Sequence, residues 1–196
     1  MKRKEELEKL LVVVDMVNGF VKEGAMADKK IQEIIPEIKK LIDVIKKEGE
    51  GIAFIKDTHK KGCREFKRYP EHCVENTTEA EVVEELNGYE KESFSYQKNS
   101  TSTMFAKNFL NDIDAMKSLR EVIITGCCTD ICVMNLAIPL QNYFDEQDRD
   151  VDIIVPESAV ATYNAPWHDR ETYEKAALQF MNQAGIQLVK TYKGGK

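Results

Sequence analysis

Apolar residues along the chain fall into two kinds of pattern. Short unbroken runs at Leu11 to Val14 and Val122 to Ile124 are typical of strands covered on both faces, and Gly51 to Lys56 and Asp152 to Val155 read as strands beside them. Ser93 to Gln97 and Ile186 to Val189 are two further strand candidates. Between the runs the spacing turns helical. Ile31, Ile34, Ile35, Ile38, Leu41, Ile42 and Ile45 share one face of a predicted helix over 31–48, with Pro36 tolerable only near its start and Gly49 and Gly51 ending it. Helices are also predicted over 80–86, 101–110, 131–144 and 169–184, and Pro139 should kink or shorten the third of these. Strands alternating with helices predict a three-layer α/β fold, a mostly parallel sheet with helices on both faces. No linker interrupts the pattern, so residues 1–196 are expected to form one domain.

Composition acts by exclusion. With 28 basic against 34 acidic residues the net charge is -6, and neither half carries a basic stripe, so no nucleic-acid footprint is present and a small-molecule ligand is expected. The first residues include lysines, but Glu5, Glu6 and Glu8 interrupt them. The apolar run Leu10 to Val14 is too short for a signal peptide or a membrane span, which predicts a cytoplasmic protein. Five cysteines without an export signal are expected as reduced thiols, open to nucleophilic chemistry or metal ligation.

In open parallel sheets the ligand crevice lies at the carboxyl ends of the strands. Asp15, Asp57 with His59, Lys98 and the turn from Gly126 to Cys132 all follow strand ends, so one topological rule gathers them. Thr129 and Asp130 are good helix N-caps, which puts Cys132 in a first helical turn where free N–H groups and the dipole favour a thiolate. Cys132 is therefore a candidate nucleophile, although Cys127, Cys128 and Cys132 also read as small buried residues at a strand end. Asp57 and His59, two apart in extended chain, point to one side, and Glu65 and His72 follow in the same loop. That donor set suits a divalent metal such as zinc, manganese or iron; the competing reading is solvated loop charge. Cys63 and Cys73 flank the cluster and could instead complete a structural zinc site. His168, beside Trp167, reads as a satisfied structural histidine outside these loops.

Together these residues resemble the isochorismatase-like cysteine hydrolases, and within them the nicotinamidases (pyrazinamidases), from about Leu11 to Val189. The most specific piece is G-x-x-T-D-x-C-V, present from Gly126 to Val133. The resemblance implies Cys132 as nucleophile, with Asp15 and Lys98 as its catalytic partners. It implies a cis peptide between Cys127 and Cys128, and an oxyanion hole of the backbone N–H groups of Cys128 and Cys132. It implies one divalent metal ion on Asp57, His59, Glu65 and His72, with Glu65 the position that varies most, and a substrate pocket walled by Phe20 and Tyr69. The implied activity is hydrolysis of nicotinamide to nicotinic acid and ammonia through a thioester. The implied partner is thus a small amide, with no nucleic acid or membrane, and assembly into a homo-oligomer is left open. Two positions depart from the family: Gly19 stands where an acidic residue is usual before Phe20, and Val17 where a polar residue is common. Alternatives are an amidase or ureidase of the same family acting on another small amide, or a non-catalytic zinc- or thiol-binding module using Cys63, Cys73, His59 and His72.

Overall fold

A computed structural model describes residues 2–194 of the chain. Its elements in order are β1 (Lys9–Val14), α1 (Asn18–Val21), α2 (Lys29–Gln32), α3 (Ile35–Lys47), β2 (Gly51–Asp57), α4 (Glu84–Glu90) and β3 (Phe94–Lys98). There follow α5 (Phe109–Ala115), β4 (Glu121–Cys127), α6 (Met134–Glu146), β5 (Asp152–Pro156), β6 (Val160–Ala161), α7 (Arg170–Gln183) and β7 (Gln187–Val189). Every strand pairing is parallel, in the order β3-β2-β1-β4-β5-β7. β6 lies beside the last two residues of β4, where Gly126 and Cys127 pair with Val160 and Ala161.

Each central strand is apolar through its middle because both of its faces are covered there. Leu10, Val12 and Val14 of β1 join Val122 and Ile124 of β4 in one core, roofed by Phe109 and Ile113 of α5, Leu136 and Leu140 of α6, and Met181 of α7. Leu11, Val13 and Ile123 point the other way, onto Ile35, Ile38, Leu41, Ile42 and Ile45 of α3 and Leu86 of α4. The expected three-layer architecture is thus observed. Strand order reverses between β1 and β4, so the crevice at their carboxyl ends is the topological switch point, where such sheets bind ligands.

Helix boundaries differ from the sequence expectation at identifiable residues. The helix expected over 31–48 is two, because Pro36, in the first turn of α3, would clash with the carbonyl of Gln32 if the helix ran back through it. The helix expected at 80–86 begins only at Glu84, since Val82 bridges Val17 and the Val83 N–H donates to Met16 O (3.0 Å). Asn108 adopts φ 69°, and this delays the helix expected from 101 until Phe109. Pro139 does not shorten α6, which runs to Glu146. A proline there frees the carbonyl four residues back, and Ser102 Oγ donates to that carbonyl, Asn135 O, at 2.9 Å.

The close approach of β1 and β4 depends on Gly126. Its φ is 107°, and a Cβ there would lie 2.0 Å from Val14 O. Gly126→Ala is expected to cost at least about 3 kcal/mol of stability through overpacking and a left-handed backbone. Gly88, with open space around it in α4, should by contrast gain about 0.5–1 kcal/mol as Gly88→Ala. Urea denaturation of the two variants checks the pair.

Candidate active site

The carboxyl ends of β1, β2, β3 and β4 deliver four groups to one buried point. Asp15 follows β1 with φ 52°, its N–H donating to Ile55 O (2.9 Å), so the chain turns sharply and the carboxylate faces the crevice. Asp57 and Lys98 are the paired last residues of β2 and β3. Lys98 Nζ lies 2.8 Å from Asp15 Oδ2, 3.0 Å from Asp57 Oδ1 and 3.5 Å from Cys132 Sγ. The lysine expected from its strand-end position is therefore the hub of the site, 3% exposed.

Cys132 sits in a wide turn, Thr129–Val133, that leads into α6, with the N–H groups of Ile131 and Val133 both donating to Cys128 O (3.1 Å each). The peptide between Cys127 and Cys128 is cis, as the resemblance implied. Cys127 turns its thiol away, donating to Asp15 O at 3.2 Å.

Burial sets the protonation states. It raises the Asp15 carboxyl to about 6, helped by the negative charge of Asp57 and opposed by Lys98. Burial also pushes Asp57 upward, but Lys98, His59 and His72 outweigh it and hold Asp57 below the usual carboxylate range. Environments that push two carboxylates apart in this way are typical of acid–base assignments. Burial and the nearby carboxylates push the Cys132 thiol well up, against the pull of Lys98. The pull toward a thiolate expected from the helix start is thus opposed by desolvation of the buried thiol.

Asp57, His59, Glu65 and His72 form a second, contiguous cluster. One donor atom from each lies within 4.8 Å of the others, and all four residues are buried. His59 Nδ1 donates to Asn99 Oδ1 (3.1 Å), an oxygen that also accepts from the Lys60 N–H, and His72 Nδ1 donates to Pro70 O (2.7 Å). Both Nε2 atoms are thereby turned inward, 3.1 Å and 3.4 Å from Asp57 Oδ2. His59 Nε2 is buried without a hydrogen-bond partner among the described residues. Two imidazoles and two carboxylates converging at these distances need positive charge among them, and that donor set fits a divalent metal.

The cysteine-ligated alternative is not formed. Cys63 Sγ approaches the outward Nδ1 of His59 (3.5 Å), and Cys73 is packed where a Cβ on Gly19 would meet its sulfur at 2.6 Å. The same contact explains Gly19, since an acidic side chain has no room there. Phe20 and Tyr69 line the pocket over Cys132 as expected, with Met26, Thr101 and Ile131 beside them. Sequence reasoning did not single out Asn99, although it follows Lys98 directly at a strand end. His168 is satisfied, as expected, but it sits against the nucleophile turn, its Nε2 2.8 Å from Asp130 Oδ2. Among the described residues no helix is long and apolar enough to cross a membrane.

Known proteins share this fold. The profile of the Isochorismatase domain matches residues 9–191. Nicotinamidase 1 of Arabidopsis thaliana is 27% identical over 201 residues, covering 92% of this chain and 81% of that protein. N-carbamoylsarcosine amidase from Thermoplasma acidophilum superposes with a TM-score of 0.79 at 22% identity, over 97% of this chain and 100% of that one. The pyrazinamidase of Pyrococcus horikoshii, solved in complex with zinc, gives 0.73 at 24% identity, over 93% and 99%.

His59→Ala and His72→Ala are each expected to leave the purified protein without stoichiometric divalent metal. Glu65→Ala should lose less, because a water can take that position. Elemental analysis of the three variants against the parent checks this, and unchanged metal in both histidine variants would exclude the site.

Proposed function

The chain belongs to the isochorismatase family of hydrolases, and from that premise we propose that it is a metal-assisted cysteine amidohydrolase converting nicotinamide to nicotinic acid and ammonia. The observation that carries the reading is the sharing of Asp57, which pairs with Lys98 beside Cys132 and also belongs to the four-residue donor cluster. Nucleophile and metal donors are thus parts of one site. Asp57, His59, Glu65 and His72 would hold a divalent metal, which when bound supplies a Lewis-acid position for a ring nitrogen of the substrate. Support for zinc in particular is the zinc-bound pyrazinamidase among the structural neighbours.

The remaining chemistry belongs to the chain. Phe20 and Tyr69 hold the ring, leaving the carboxamide carbon over Cys132 Sγ. Asp15, ionised above about 6, takes the thiol proton as sulfur attacks, and Lys98 keeps positive charge beside both the carboxylate and the forming thiolate. The oxyanion is received by the backbone N–H groups of Cys128 and Cys132, an arrangement in which loss of one donor costs roughly 2.7–4 kcal/mol. Asp15 returns its proton to the departing nitrogen, ammonia leaves, and a thioester remains. A water that gives its proton to Asp15 then attacks the thioester carbonyl. Nicotinic acid leaves and the thiol is restored.

A second reading, hydrolysis of another small amide, is favoured by the carbamoylsarcosine amidase likeness. The four-residue donor cluster favours nicotinamide, because a metal held there would offer a ligand position to a pyridine nitrogen. Ammonia release across a panel of small amides decides between them. Nicotinamide is expected to be turned over fastest, with activity lost on chelation and restored by added zinc, manganese or iron. Faster hydrolysis of a non-pyridine amide, or activity indifferent to chelation, would contradict the proposal.

A further inference from the structure

The turn that carries Cys132 is gripped from outside by a segment the mechanism has not used. Thr129 Oγ1 donates to Glu174 Oε1 of α7 (3.0 Å). Asp130, two residues before the nucleophile, accepts from Thr162 Oγ1 at one carboxylate oxygen and faces His168 Nε2 at the other, 2.8 Å away. His168 is itself fixed from every side. Its Nδ1 donates to Tyr163 O (3.0 Å), which can only accept, and its main chain exchanges two hydrogen bonds with Ala165 (3.0 and 2.9 Å). Its ring is stacked between Tyr163 (centroids 4.0 Å, 9°) and Tyr173 (4.0 Å, 23°). The residue is 5% exposed.

We infer that His168 is a positioning residue for the nucleophile, acting through Asp130 to hold the 129–133 turn at the distance that lets Cys132 reach Lys98. The inference rests on the reading of Cys132 as nucleophile. With both ring nitrogens engaged and both faces stacked, the imidazole can neither flip nor tilt, so it presents a fixed partner to Asp130. Charge-assisted bonds of this kind are about twice as strong as neutral ones. The turn needs such an anchor. Its N–H groups at Ile131 and Val133 share the single acceptor Cys128 O, the second across a wide five-residue span, and the turn supplies the thiol and one of the two oxyanion donors at once. A packing role alone would require only a flat ring between the tyrosines. The geometry shows more: an acceptor for each nitrogen, one of them on the catalytic turn. The same segment also walls the approach to the pocket, for Tyr163, Trp167 and Tyr173 share an open cavity of about 730 Å³ with Met26 and Tyr69, which line the catalytic pocket too.

The test uses His168→Phe, which keeps the ring between the tyrosines and removes both hydrogen bonds, Asp130→Asn, which keeps the shape of the partner, and the double variant. Two readouts are taken on metal-loaded protein: the rate of Cys132 alkylation by iodoacetamide, followed by mass spectrometry, and kcat and KM for ammonia release. Each single variant is expected to slow both alkylation and kcat at least about tenfold, with KM changed little, and the double to be no worse than either single, as for residues acting as a unit. Parent-like rates in His168→Phe would make the histidine a packing residue, and multiplicative losses would show that it does not act through Asp130. Should His168→Phe fail to fold, Asp130→Asn alone decides, since parent-like alkylation and kcat in that variant overturn the inference. Alkylation needs no substrate, so an error in the choice of amide leaves this result standing. A parent protein whose Cys132 resists the reagent would instead remove the nucleophile assignment, and this inference with it.

Discussion

One buried ammonium holds the site together. Lys98 Nζ neutralises two carboxylates on neighbouring strand ends and touches the thiol, all in a region closed to water. Desolvation raises a lone carboxylate steeply, and two in contact would share a proton rather than both ionise. The lysine removes that conflict unequally. Asp57, with two imidazoles in addition, is held ionised, while Asp15, with Lys98 alone, stays within reach of neutral pH. Breaking a buried pair of this kind costs about 3–5 kcal/mol, so the arrangement that keeps Asp15 near neutral titration is also one the fold depends on.

The scaffold makes the meeting inevitable. Parallel strands all deliver their carboxyl ends to one edge, and the reversal of order between β1 and β4 opens a crevice at that edge. Gly126 lets β4 close against β1, which sets the spacing between Asp15 and the turn of Cys132. Ser102 takes up the carbonyl that Pro139 frees, so α6 continues unbroken from the turn of Cys132 into the core.

Legibility in the sequence followed the range of the forces involved. The apolar runs ending at Asp15, Asp57 and Gly126 were readable because burial on both faces leaves an unbroken signal, and Lys98 was readable because a strand end is local. The donors Asp57, His59, Glu65 and His72 were readable as one cluster because they lie on one loop. Boundaries at Gln32, Val83 and Asn108 were not, since each is set by a clash, a bridge or a backbone angle that periodicity does not record. Of the two opposed influences on Cys132 only one was readable, because the helix start is local whereas desolvation is a property of the whole fold. His168 looked remote for the same reason: only β6, two residues long, brings its segment beside β4.

The central claim is that Asp15, Lys98 and Cys132 form one chemical unit. Steady-state kinetics of Asp15→Asn, Lys98→Met and the double variant test it most directly. The account predicts that kcat falls at least about 10²-fold in each single, with KM changing far less, and that the double is little worse than either. An active Lys98→Met, or losses that multiply in the double, would contradict it.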